Sequence, residues 1–126
     1  DEPRVTIRGR VTPLYPLMAG VDVLATKSGG LTSTEAMTIG VPMVVVHPIR
    51  GVETANADFF ESRGMAAYAR SLEELPGKIR TLLKDEEACA AMVAAQRREI
   101  DPECARKLAA CLIRLTEEKT SARGME

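Results

Sequence analysis

Residues 21–46 read VDVLATKSGGLTSTEAMTIGVPMVVV, and this stretch decides the fold. An apolar run over residues 22–26 is followed by a glycine pair, by a helical segment that ends at Gly40, and by a second apolar run over residues 42–46. A strand, a tight turn, a helix and an unbroken apolar strand in this order are typical of a buried parallel sheet with helical crossovers. The stretch therefore predicts an α/β fold.

The turn between the first strand and the helix carries the chemistry of this stretch. Residues 26–35 contain two glycines, five hydroxyl side chains, one lysine and one carboxylate. The first backbone N–H groups of a helix have no acceptor within the helix, and the helix macrodipole is positive at that end. The turn therefore predicts a site for phosphate or another anion.

The alternation of strands and helices continues on both sides. Residues 4–9 alternate apolar and polar side chains and predict a strand, and Thr12 followed by Pro13 predicts the start of a short helix. Residues 54–64 predict a helix and residues 65–69 a weaker strand. The resulting β-α-β-α-β-α-β order predicts a Rossmann-like parallel sheet with flanking helices, whose ligands bind at the carboxyl ends of the strands.

From Ser71 onward, the chain is predicted to be a helical tail. Asp101 and Pro102 provide an N-cap and a first-turn proline, and they predict a final amphipathic helix. Its apolar face is formed by Leu108, Leu112 and Leu115. Beyond Lys119 the sequence is polar, so we expect a domain over residues 1–119 and a disordered or frayed tail over residues 120–126.

The composition argues against nucleic acids and metal ions as binding partners. The 126-residue chain has a net charge of −1, two Phe, two Tyr and no Trp, so it lacks the basic footprint and the stacking aromatics of nucleic-acid platforms. Three dispersed cysteines and the single histidine, His47, show no zinc spacing, and they suggest reduced thiols in an intracellular protein. No run of about 18 apolar residues and no signal peptide is visible. We therefore expect no metal site and no nucleic-acid partner.

Four segments together resemble the C-terminal half of two-domain glycosyltransferases of the GT-B fold. They are residues 22–36, 40–42, 48–56 and 64–66. The sequence is most similar to monogalactosyldiacylglycerol synthases and processive diacylglycerol glucosyltransferases, and it is more distantly similar to the MurG N-acetylglucosaminyltransferase. The resemblance covers about residues 3–100 and implies a partial C-terminal domain that binds a UDP-sugar donor.

The resemblance also assigns roles to individual residues. It implies that residues 9–11 lie near the uracil, that residues 28–32 bind the diphosphate, that Glu35 holds the ribose hydroxyls, and that residues 51–53 contact the donor sugar. The complete set implied for nucleotide-sugar binding is Gly9, Arg10, Val11, Lys27, Ser28, Gly29, Gly30, Leu31, Thr32, Glu35, His47, Gly51, Glu53 and Asn56.

The chain departs from the family pattern at two positions, which puts recognition of the sugar in question. Val52 stands where the family has glutamine, and Arg50 stands where it has proline. No catalytic residue is assigned, because the resemblance places the general base in an N-terminal domain that is missing here.

Several of these residues have a second interpretation. Thr32 and Glu35 have the spacing of a capping box, in which Glu35 would accept from the backbone N–H of Thr32 instead of binding ribose. Lys27 either neutralises a diphosphate or is simply solvated. His47 is either structural or a donor to a phosphate or sugar hydroxyl. Glu53 and Asn56 lie one helical turn apart at a helix start, where they either contact the sugar or complement the helix dipole.

The leading functional hypothesis is the donor-binding part of a hexosyltransferase that acts on a lipid acceptor in glycolipid synthesis. It needs no cofactor besides the UDP-sugar substrate. The lipid acceptor would be bound mainly by the missing N-terminal domain, so the fragment is expected to be inactive alone. The protein is expected in the cytoplasm or at the cytoplasmic face of the membrane as a peripheral protein. The alternatives are an enzyme similar to UDP-sugar epimerases and a non-catalytic phosphate-binding or assembly module.

Overall fold

The computed structural model describes the backbone of residues 4–46 and 49–123, with side chains through residue 119. In these residues a parallel three-stranded sheet of order β1-β2-β3 is flanked by helices, which confirms the predicted α/β class. The elements are, in chain order, α1 (Tyr15–Met18), β1 (Leu24–Thr26), α2 (Gly30–Ile39), β2 (Met43–Val46), α3 (Val52–Ser62), β3 (Ala67–Ala69), α4 (Leu75–Lys84), α5 (Glu86–Glu99) and α6 (Cys104–Arg123).

The central strand β2 holds the sheet together. It pairs with β1 through Thr26 opposite Val45, and with β3 through Val46 opposite Ala69. Because all three strands are parallel, their carboxyl ends meet at one edge of the sheet. The loops that follow β1 and β2 therefore lie at the same edge, as the sequence predicts.

Helices cover both faces of the sheet, which explains the unbroken apolar run in β2. Met43 and Val45 face one hydrophobic cluster, which includes Met37 of α2 and Phe60 of α3. Val44 faces the other cluster, with Leu82 of α4 and Met92 of α5 among its members. Each fully buried side chain of this size stabilises the fold by about 1.5–3 kcal/mol relative to exposure. The apolar pattern of residues 42–46 thus reports burial on both faces.

The predicted N-terminal strand does not form, and this prediction is wrong. Residues 5–11 have no regular secondary structure, and Ile7 is 93% exposed. Alternation of side chains indicates only that a segment suits a half-buried sheet. A strand also needs a neighbouring backbone that completes its hydrogen bonds, and none of the three described strands pairs with this segment.

The starts of helices α1 and α6 also differ from the sequence prediction. Helix α1 has Leu14 as its N-cap instead of Thr12, so it is only four residues long. Helix α6 begins at Cys104, after a turn in which the Asp101 carboxylate accepts the backbone N–H of Glu103 at 2.9 Å. The helix backbone continues through Arg123. The division of the chain at residue 119 and the tail beyond it stay predictions.

Candidate functional site

The turn between β1 and α2 presents three backbone donors at the carboxyl edge of the sheet. Helix α2 begins at Gly30 and not at Thr32, and extended Gly29 is its N-cap without a side-chain cap. The N–H of Ser33 donates to the carbonyl of Gly29 at 3.2 Å. The N–H groups of residues 30–32 precede this bond, so α2 supplies no acceptor for them. An anion can take this place without displacing any part of the helix.

Glu35 does not cap the helix, so the capping-box prediction is wrong. Thr32 is the third helical residue and not the N-cap, because a glycine pair allows α2 to start two residues earlier. Glu35 therefore lies in the second turn of α2 with its side chain exposed. Together with Tyr15, Thr38 and Ile39 it lines an open pocket of about 300 Å³. The carboxylate is available to a ligand from this pocket.

Ser28 ties the turn to helix α3. Its side chain is fully buried, and its Oγ donates to the backbone carbonyl of Glu53. In the opposite direction, Nδ2 of Asn56 donates to the backbone carbonyl of Ser28 at 3.0 Å. Two bonds of opposite polarity thus fix one residue of the turn against the first two turns of α3. Helical spacing brings Glu53 and Asn56 to the same face for this purpose.

The carboxylate of Glu53 lies beside the glycine turn. Its Oε2 accepts the backbone N–H of Ile49 at 2.7 Å, and its Oε1 accepts the ammonium of Lys27 at 3.0 Å. The bond from Ile49, followed by the bond from Lys27, lowers the pKa of Glu53 despite partial desolvation. Glu53 is therefore ionised at neutral pH, and its Oε1 lies 3.7 Å from the place where a Cβ on Gly29 would stand. Lys27 offsets this negative charge next to the donor turn.

The remaining predicted site residues are more dispersed. Gly9 and Arg10 are exposed and Val11 is half-buried, and a Cβ on Gly9 would meet no described atom within 4 Å. Gly51 is the N-cap of α3 with φ 100°. Leu31 is exposed at the start of α2. His47 lies outside the described residues. Around the turn, the structure brings together the side chains of Lys27, Ser28, Glu53 and Asn56 with Gly29. The predicted Gly30, Leu31 and Thr32 belong to the same turn through their backbone N–H groups.

Sequence reasoning missed two groups that organise this site. The backbone N–H of Ile49 anchors Glu53. Ser33 is fully buried, and its Oγ donates to the carbonyl of Lys27 at 3.5 Å. The position of Ser33 one helical turn before the apolar Ala36 and Met37 was a signal that it lies on the buried face, where polar groups require partners. The backbone N–H of Ile49 could not be predicted as a donor from the sequence, because every residue except proline carries one.

The described residues also bear on metal ligands, membrane-spanning helices and reactive thiols. Within residues 4–46 and 49–123, no group of three His, Cys, Asp or Glu could hold a metal ion. No helix there is both long and apolar enough to cross a bilayer. The thiol of Cys89 donates to the carbonyl of Leu82, and burial, followed by the nearby acidic side chains, raises its pKa. A raised pKa keeps this thiol protonated and unreactive.

A comparison against protein families identifies the family of this chain. Residues 4–99 match the family described as glycosyl transferases group 1. The chain belongs to this family. The matched residues include all four segments that carry the resemblance to glycosyltransferases.

Relatives of this glycosyltransferase chain carry a more specific description. The processive diacylglycerol beta-glucosyltransferase of Bacillus subtilis (strain 168) is 39% identical over 84 residues, which are 67% of this chain and 22% of that protein. The enzyme of the same description from Staphylococcus carnosus (strain TM300) is 38% identical over 88 residues, 70% of this chain and 22% of that protein. The chain thus spans about a fifth of the length of the curated relatives it matches.

A solved structure shares the fold of this glycosyltransferase chain. The crystal structure of the glycotransferase of kitacinnamycin superposes with a TM-score of 0.57 at 25% identity, over 68% of this chain and 23% of that chain. The match and the family assignment confirm the predicted resemblance to GT-B glycosyltransferases.

Proposed function

We propose that this domain binds the UDP-sugar donor of a hexosyltransferase that transfers a hexose to a lipid hydroxyl. One observation carries the proposal: the N–H groups of residues 30–32 start a helix at the carboxyl edge of a parallel sheet, without an acceptor in α2. Such a turn is a ready site for a diphosphate. The relatives, which are described as diacylglycerol glucosyltransferases, support the lipid as acceptor.

In this proposal the turn stabilises the leaving group. Transfer of the hexose breaks the bond between the sugar and the diphosphate, so negative charge grows on the phosphate oxygens. Preorganised N–H donors at a helix N-terminus are most effective where charge develops in the transition state. Lys27 lies in the same loop, and its ammonium group offsets the negative charge of the Glu53 carboxylate beside the donor turn.

The flanking residues would hold the rest of the donor. The carboxylate of Glu35 is exposed at a pocket and can accept from both ribose hydroxyls. Residues 9–11 would face the uracil. Glu53 has one bond at each oxygen, yet a carboxylate has about four acceptor positions. It therefore retains capacity for a sugar hydroxyl at the site where Val52 replaces the family's glutamine.

The complete reaction would need more than this domain. We propose that the acceptor lipid and the general base are supplied by a further domain, that the 126-residue chain binds the donor without transferring it, and that the complete enzyme acts at the membrane surface as a peripheral protein. An epimerase would need an acid–base pair at the sugar. The described site offers two carboxylates: Glu35, which the proposal assigns to the ribose, and Glu53, which is held by Lys27 and Ile49.

A product assay tests the proposal. A longer protein that contains this domain is incubated with radiolabelled UDP-hexose and vesicles that contain diacylglycerol, and the products are separated by thin-layer chromatography. We expect labelled glycolipid. Epimerised UDP-hexose without glycolipid would support the epimerase, and UDP binding without any product would support a non-catalytic module. Either result would contradict the proposed transferase.

A further inference from the structure

Asn56 is already engaged by the protein itself. The resemblance implies that Asn56 belongs to the donor site, but its Nδ2 donates to the backbone carbonyl of Ser28 at 3.0 Å. We propose that Asn56 is a positioning residue that sets the phosphate-binding turn through Ser28 and does not contact the donor sugar. This inference rests on the proposed binding of a diphosphate at the turn.

Few side-chain hydrogen bonds fix the position of the turn, so the bond from Asn56 to Ser28 has a large effect on that position. Gly29 and Gly30 have no side chains, and α2 has no side-chain cap. Ser28 ties the turn to α3 from its buried side, through its own Oγ and through the bond from Asn56, and the exposed ion pair of Lys27 with Glu53 is the other link. The donors of residues 30–32 begin two residues later along the same backbone.

A small displacement of Ser28 would matter to an anion. Hydrogen bonds from N–H to oxygen require about 2.7–3.2 Å between the heavy atoms, and they weaken steeply when the angle is poor. A misplacement of about 1 Å is enough to disturb a positioned reacting group. Loss of the bond from Asn56 would thus weaken all three donors of the turn together.

The chemistry of the bond separates positioning from sugar contact. The carbonyl of Ser28 only accepts, so the side chain opposite must donate, and an amide does so. Ionised aspartate only accepts and would face this carbonyl with a negative charge. A sugar hydroxyl both donates and accepts, so a carboxylate could replace the amide in contact with a sugar. Asn56→Asp is therefore more harmful than Asn56→Ala if the residue positions the turn.

The test compares three ligands by calorimetry. The unsubstituted chain, Asn56→Ala, Asn56→Asp and the control Asp58→Ala, an exposed position on the same helix, are titrated with uridine, UDP and UDP-glucose. Asn56→Ala removes one neutral hydrogen bond, so we expect it to weaken the binding of UDP and of UDP-glucose by the same factor, about 2- to 10-fold. The binding of uridine should change little. We expect a larger loss for Asn56→Asp and none for the control.

Three results would overturn the inference. If Asn56→Ala weakens UDP-glucose but not UDP, the residue contacts the sugar, and the proposed function survives. If the unsubstituted chain does not bind UDP, both the inference and the proposed function fail. Amide spectra of each ligand-free variant show whether the fold is retained. In a folded variant we expect shifts at residues 28–32, and their absence would also contradict the inference.

Discussion

At the scale of single residues, a glycine excludes the capping role of Glu35. The sequence shows a capping box at Thr32 and Glu35, but Gly29 adopts the extended N-cap conformation and α2 starts early. Residue types predict which positions are favourable helix starts. They do not predict which of two neighbouring favourable positions the helix uses. The chemistry of the turn was predictable, whereas the partners of Glu53 and Asn56 depend on the packing of α3 against the turn.

The first prediction concerns Glu35→Ala. Because two ribose hydroxyls would lose a charged acceptor, we expect UDP and uridine to bind about 10-fold more weakly or worse. Glu35 is exposed and caps nothing, so the free energy of unfolding should change by less than about 0.5 kcal/mol. Calorimetry and thermal unfolding measure both effects, with the exposed Glu117→Ala as control. Unchanged affinity with a lower melting temperature would restore the capping role.

The second prediction concerns the pH dependence conferred by Glu53. Its folded-state pKa lies below the ordinary value of 4.5, so the ionised form stabilises the fold above that pH, and the contribution is lost as the pH falls through the folded-state pKa. Glu53→Gln removes this contribution. Urea unfolding should show the largest difference from the unsubstituted chain near neutral pH and a shrinking difference below about pH 4.5. A difference that does not depend on pH would contradict this account.

At the scale of elements, apolar pattern and glycine position predict helices and buried strands well. Residues 42–46 are apolar without interruption because helices cover both faces of β2. The pattern fails at residues 4–9, where alternation is present but no described strand pairs with the segment. Pairing is a property of the assembled sheet, so a local pattern cannot supply it.

The third prediction concerns the end of helix α2. Gly40 has φ 87°, and a Cβ there would lie 3.1 Å from Cγ1 of Val93. We expect Gly40→Ala to destabilise the chain by about 1–3 kcal/mol in urea unfolding. Gly77→Ala is the matched control, because Gly77 lies in α4 with open space around it. That change should stabilise by about 0.5–1 kcal/mol. Equal effects at the two glycines would contradict the explanation.

At the scale of the whole molecule, the described residues place the candidate site at the carboxyl edge of the sheet and leave apolar side chains of α6 exposed. The carboxyl edge of the sheet gathers the donor turn, Lys27 and the start of α3. Helix α6 exposes Leu108, Leu112 and Ile113. This edge was predictable from the sequence, because the loops that follow parallel strands all lie at the carboxyl ends of those strands.

The fourth prediction tests the central claim, that the turn at residues 28–35 binds a nucleoside diphosphate. The ¹⁵N-labelled 126-residue chain is titrated with UDP to millimolar concentration and followed by amide spectra. We expect shifts at residues 9–12, 28–35 and 47–56, largest at the donors of residues 30–32, and little change along α6. Shifts confined to other surfaces, or none at millimolar UDP, would contradict the account.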